Sequence, residues 1–316
     1  MSLLGEAALL PSVLEAGDVH GEELEQLIRL ESAMHDYLLV RDLAGGAWSQ
    51  ALAGRASKRA EVVLLFLATH GRLTRVSDAV NVDTTAWSPA EWLAHVRQTA
   101  NAEPKLDAVI RRDANGPACM ENETQLRAFH EGPWFERRRG LGAIPREMSA
   151  FSALFGPFLR FAKVVHIADP GFDPSQVDYA HWPDLLQQAT ASRHSRLRLT
   201  VHRPCFELAG GRSMVKGAEW ETRFAAFAKL DPRVVATQVR IWPEVHLRGL
   251  YSNLGGFLAE NGFALDKRRA LAVSWQNERQ AHAALHSNLK DYRQQHVFTL
   301  PPSEAKSFPQ NDLGRQ

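Results

Sequence analysis

Three residues have types and a spacing suited to phosphate chemistry: His246, Arg248 and Asn253, within VHLRGLYSNLGGFLAENGFALD, residues 245–266. An imidazole can attack phosphorus or give a proton to a leaving oxygen, and a guanidinium neutralises charge on phosphate oxygens. Alternate side chains of an extended segment share a face, so His246 and Arg248 are expected side by side. Gly255-Gly256 would then turn the chain and let another backbone pass close. The bland alternative is a histidine at a strand start that serves only the surface or the core.

Two arginine groups could extend such a site. Arg137, Arg138 and Arg139 follow Trp134-Phe135-Glu136. Rings stack on bases and guanidiniums bind phosphates, so this stretch fits single-stranded nucleic acid. It fits equally a solvated loop joining two domains. Arg196 and Arg198 share one face of the alternating segment RLRLTVH, residues 196–202, as a phosphate-binding surface or as the wet side of an edge strand. His282 and His286 stand four apart on an expected helix, but no third ligand is evident and the zinc-protease glutamate is missing. No metal and no cofactor is expected.

The elements that must position these residues change character along the chain. Leu24, Leu27, Ile28, Met34 and Leu38 recur at helical spacing, and Gly45-Gly46 close that region. Residues 57–69 read as a buried helix. Ser88-Pro89-Ala90-Glu91 is a capping signature that starts another, running through Trp92 and Val96. Residues 72–99 fit either a helical bundle or the later helices of a helix-turn-helix. Beyond residue 150 strands and helices alternate: strand candidates at 161–168, 196–202 and 234–242, helices at 182–191 and 219–230, then an extended 246–253. That order implies a layered α/β domain, whose ligands collect beyond the carboxyl ends of the strands. The run VVHIADPGFDP, residues 164–174, ends its strand at Asp169, which would fall at that end, as a turn cap or as part of a site.

Bulk composition bounds the reading. The chain has 316 residues and a formal net charge of +1, so any nucleic-acid site is a local patch rather than a global field. Hydrophobic residues at 45% and charged residues at 23% fit a soluble globular protein. Cys119 and Cys205 lack metal-ligand spacing, which argues against a disulfide scaffold and fits a cytoplasmic setting. No signal peptide is read in residues 1–20, and the longest apolar run, Val62 to Ala68, is too short to span a bilayer.

The segment 245–266 resembles the phospholipase D superfamily signature, His-x-Lys-x4-Asp followed by glycines. It is closer to a divergent branch with His-x-Arg, which includes the C-terminal domains of microtubule-interacting-and-transport proteins and related bacterial domains found with mobile-element and defence genes. The resemblance covers roughly residues 150–300. It implies a nucleophilic histidine and a second histidine that protonates the leaving group. His246 matches the nucleophile, Arg248 stands at the lysine and Asn253 at the aspartate. Arginine differs from lysine in shape and hydration, and Asn253 carries no negative charge. With one such motif, a two-histidine mechanism would need a symmetric homodimer or another histidine near the site, such as His166 or His202.

The expected organisation is α+β or α/β: a helical domain over 1–115, a connecting segment over 116–149, a phospholipase D-like domain with a mainly parallel mixed sheet over 150–300, and a tail over 301–316. The expected task is phosphodiester recognition, with nucleic acid as ligand, in a multi-protein bacterial defence or mobile-element system. A metal-independent phosphodiesterase using His246 and a non-catalytic scaffold that docks partner proteins are the alternatives. No membrane is expected as a partner.

Overall fold

The protein is described from a computed structural model. It covers residues 5–15, 20–54, 57–75, 84, 86–100, 105–112, 120–131, 143–191, 196–207, 213–231, 234–265, 270–290, 293–294 and 296–300. The chain divides into two compact units, Met1–Gly140 and Leu141–Gln316. Both are α/β.

The first unit holds a five-stranded sheet of β1 (Gly5–Leu9), β2 (Leu38–Arg41), β3 (Leu73–Thr74), β4 (Ala108–Arg111) and β5 (Glu123–Gln125), in the order β3-β2-β1-β4-β5. Every pairing is parallel. The expected helices are present: Gly21–Asp36, Lys58–Thr69 and Pro89–Thr99. The last begins in the capping box read from Ser88 and Glu91 and buries Trp92 and Val96. The sheet corrects the expectation of a purely helical domain. Its strands are only a few residues long, and β2 and β4 are buried along their whole length. Such a strand loses its apolar–polar alternation and looks, by pattern, like a piece of buried helix. Leu38 shows the confusion: it continues the helical stripe in sequence yet opens β2, the helix having stopped at Asp36.

Three further expectations for this unit change. Residues 72–75 include β3, paired with β2, and among the described residues of 72–99 a single helix is seen; residues 76–83, where the other helix of a helix-turn-helix would fall, lie outside the described residues. The helix Lys58–Thr69 is not wholly buried, since Val62 and Leu65 are 66% and 69% exposed. The segment 116–149 is more than a connection: β5 and the 3-10 turn Leu126–Glu131 lie within the first unit, and β6 (Ala143–Ile144) lies within the second. The tail 301–316 lies outside the described residues.

The second unit is built on an eight-stranded mixed sheet, ordered β15-β11-β8-β7-β12-β13-β14-β6. Its strands are β6, β7 (Val164–Ala168), β8 (Leu197–Pro204), β11 (Val235–Trp242), β12 (Gly249–Ser252), β13 (Gly255–Ala259), β14 (Leu271–Gln276) and β15 (His296–Leu300); β9 (Phe206–Glu207) and β10 (Ser213–Met214) form a separate hairpin. Parallel pairing is confined to β7, β8 and β11, and the other neighbours are antiparallel.

One sheet face is apolar. Val165, Ile167, Leu199, Val201 and Phe257 are buried there, beneath the helices Met148–Phe161 and Trp182–Thr190. Phe155 and Phe158 each meet Phe257 edge-on at 5.2 Å, and Phe155 also packs on Phe151, Trp182 and Phe263. The helix Glu278–Leu289 lies on the other face, packing Ala281, Leu285 and Leu289 with Trp242 and Tyr251. Among the described residues no helix is long and apolar enough to cross a membrane.

The two packings predict opposite responses to truncation. Phe155→Ala should cost about 3–5 kcal/mol of unfolding free energy, read by denaturant titration. Leu65→Ala, at an exposed position, should stay within about 0.5 kcal/mol.

Candidate functional site

The site is framed by the carboxyl end of β7, where Asp169 sits buried. One of its carboxylate oxygens accepts the Gly171 amide at 2.8 Å. The other accepts the Tyr179 hydroxyl at 3.1 Å and the Phe263 amide at 2.9 Å. Burial, and then the Asp169 charge, push the Tyr179 phenol well above its ordinary range, so it stays protonated and donates. Two glycines make room: a Cβ at Gly171 would stand 2.7 Å from the Tyr179 oxygen, and one at Gly262 would stand 2.5 Å from the Asp169 carboxylate. Asp169 is thus a turn cap that ties three segments together, with its oxygens already engaged. Beside it, buried Arg203 donates to the Phe172 carbonyl at 2.8 Å and lies 4.4 Å from the Trp220 ring centre, while Arg223 pairs with Asp173.

His246 and Arg248 precede β12 rather than lying in it, which corrects the expectation of one extended His-x-Arg strand. They emerge at the same end of the sheet as Asp169, because Gly249 pairs with Ala168. Both still open on one groove of about 530 Å³, shared with Leu258, Glu260, Ser274 and Asn288. The His246 side chain is 64% exposed, and its Nε2 lies 3.2 Å from a Glu244 carboxylate oxygen. Arg248 is half-buried, and its carbonyl accepts the Ala259 amide at 2.9 Å.

Asn253 does not join them. It follows the other end of β12, where its side-chain oxygen accepts the Lys163 amide at 2.8 Å and the Val164 amide at 3.4 Å. It caps the start of β7, at the opposite end of the sheet. The turn expected at Gly255-Gly256 falls instead at Asn253-Leu254, and both glycines belong to β13. Arg196 is exposed just before β8, and Arg198 is half-buried within it. Arg137, Arg138 and Arg139 lie outside the described residues. His282 and His286 share the helix Glu278–Leu289, both exposed, and among the described residues no cluster of three or more metal-ligating side chains forms.

The structure also joins two histidines that sequence reasoning named separately. His166 Nδ1 lies 3.0 Å from His202 Nε2, and the Trp242 indole N–H donates to His202 Nδ1 at 3.1 Å. His166 interrupts the otherwise apolar β7, which was the available signal, whereas His202 sits among the polar residues of the alternating β8; that they meet depends on β7 and β8 lying side by side. Burial, then the charges of Arg240, His282 and Arg198, push the His166 pKa down to about 3. Burial, then His166 and Arg240, hold His202 well below its ordinary value. Burial also takes His181 down to about 4.

A scan against protein-family models finds no match, and a search of curated proteins finds none. A solved structure of TrmBL2, an archaeal chromatin protein with a novel mode of DNA binding, is similar over 74% of this chain and 80% of its own, at 14% identity and a TM-score of 0.29. A likeness of that size fixes no common fold. What the coordinates define is a class: two α/β units, the second on an eight-stranded mixed sheet.

The depressed histidines predict an acid-labile fold. In the folded chain they stay neutral, whereas unfolding frees them to bind protons below their ordinary value of 6.5. Their contribution is complete above that pH and is lost as the pH falls toward 3. Each adds a slope of up to about 1.4 kcal/mol per pH unit within the window. Denaturant titrations between pH 7 and pH 4 should show stability falling with acid, and a flat profile would contradict the buried pair.

Proposed function

We propose that the second unit recognises a phosphodiester, with a nucleic-acid strand as ligand, through the groove shared by His246 and Arg248. The observation that carries this is their convergence on one open groove of about 530 Å³, walled by the antiparallel strands β13 and β14 and by Asn288, at the same end of the sheet as Asp169. The guanidinium supplies charge and paired donors, and the imidazole a further donor. The resemblance of residues 245–266 to the phospholipase D signature supports the same chemistry.

Recognition is favoured over hydrolysis because Asn253 is engaged at the far end of β12 and the residues lining the groove include one histidine. One contact favours hydrolysis as a second reading. Glu244 holds His246 by a ring nitrogen, and a carboxylate that orients an imidazole prepares it as base or nucleophile.

Anisotropy of a labelled single-stranded oligonucleotide, titrated with the full chain at several salt concentrations, tests both readings. Arg248→Ala should weaken binding about tenfold and make the logarithmic salt slope shallower by about one. Asn253→Ala should leave affinity unchanged. Equal affinity and slope in Arg248→Ala would overturn the binding reading. Metal-free cleavage lost in His246→Ala would establish the second, and an inert unaltered chain would remove it.

A further inference from the structure

The groove of His246 and Arg248 has a further wall, on which strand pairing fixes the side-chain directions. Leu258 of β13 pairs with Gly249 of β12 on one side and with Ser274 of β14 on the other. The Glu260 amide donates to the Ala272 carbonyl at 3.2 Å, so the ladder between β13 and β14 runs one step past the end of β13. Cross-strand partners and alternate residues share a face. Leu258, Glu260, Ala272 and Ser274 therefore point to one side. It is the side covered by the helix Glu278–Leu289, since Leu258 and Leu247 pack into the cluster of Tyr251, Ala281 and Leu285. Asn288, in the last turn of that helix, closes the groove.

This wall offers an apolar floor and acceptors. Asn288 Nδ2 donates to the Ala284 carbonyl at 2.9 Å, which leaves its Oδ1 as the acceptor it brings to the groove. Glu260 is exposed, and among the described residues no donor holds its carboxylate. A carboxylate repels a phosphate in the same groove, so it lowers affinity unless the ligand brings a donor to it. In RNA the 2′-hydroxyl stands on the carbon next to the one that carries the 3′-phosphate, and DNA has no donor there. Base amino groups lie farther from the phosphate. Glu260 is likewise close to the residue that would hold the phosphate: the Arg248 carbonyl accepts the amide of Ala259, which immediately precedes Glu260.

We infer that the strand recognised in this groove is RNA, and that Glu260 selects it by accepting the 2′-hydroxyl of the nucleotide whose phosphate lies on Arg248. This rests on the phosphodiester reading of the groove. The sugar and base lie against Leu247 and Leu258. In RNA the carboxylate is answered by a charge-assisted O–H···O bond, stronger than one between neutral groups. In DNA it is left facing a phosphate with no donor. The discrimination thus has an attractive arm for one sugar and a repulsive arm against the other.

Anisotropy of labelled single strands tests the assignment, with the full chain titrated into oligocytidylates of one length that carry ribose, deoxyribose or 2′-O-methylribose. The ribose strand should bind about tenfold tighter than the other two. The methylated sugar keeps the oxygen but has no proton to give, so it should follow the deoxy strand. In Glu260→Ala the ratio between ribose and deoxyribose strands should fall to about one, with the deoxy strand bound at least as tightly as by the unaltered chain. Glu260 is exposed, so thermal unfolding should show that variant folded. Equal binding of the ribose and deoxyribose strands, tighter binding of the deoxy strand, a methylated strand that binds like the ribose one, or a preference that survives Glu260→Ala each overturns the inference. Where Arg248→Ala still weakens the strands about tenfold in such a case, the phosphodiester reading stands without it. Unchanged binding of every strand by Arg248→Ala, or no binding at all, overturns that reading and this inference together.

Discussion

A buried carboxylate fixes the working end of the second unit. Asp169 ends β7 and accepts from the Gly171 amide, the Tyr179 hydroxyl and the Phe263 amide. Those donors belong to the turn after β7, the approach to the helix Trp182–Thr190, and the segment after β13. A buried carboxylate is tolerated when its oxygens are satisfied by donors of this kind, and the geometry leaves no room for alternatives. At Gly262 the backbone φ is +72°, and any side chain would meet the Asp169 oxygens, so both the conformation and the space require glycine. Because Gly249 pairs with the neighbouring Ala168, the chain that carries His246 and Arg248 leaves the sheet at this same anchored end.

The second unit was largely legible because its elements obey local rules. Alternation of strand and helix from β7 to β11, the stop at Asp169 and the helix holding Trp182 follow from patterning and turn chemistry in the sequence. The sheet of the first unit was not, because LLVR in β2 and AVIR in β4 are buried along their length and carry no period that separates strand from helix. Long-range pairing, which local sequence does not encode, decided between the two.

The candidate site was legible only in part, for a related reason. His246-x-Arg248-x4-Asn253 looks compact in sequence, but most of the interval is extended chain. Five residues of strand separate Arg248 from Asn253 by about 17 Å, and the asparagine is used to cap the start of β7. A short spacing on a helix would have kept the ends together; on a strand it drives them apart. The converse holds for His166 and His202. Thirty-six positions apart in the chain, they touch because parallel pairing brings β7 against β8.

The groove and the buried histidine pair also differ in electrostatics. In the groove, Glu244 sits on His246, Glu260 lies on the wall, and water reaches the imidazole. A phosphate there would compete with a built-in anion, and its attraction to Arg248 would be screened by solvent. His166 and His202 stand where charge is screened less. Burial, and then the positive charge of Arg240, keep His166 neutral, and Trp242 sets the tautomer of the pair through His202. The buried pair therefore holds one tautomer through the physiological range, whereas the groove presents an exposed imidazole already shared with a glutamate.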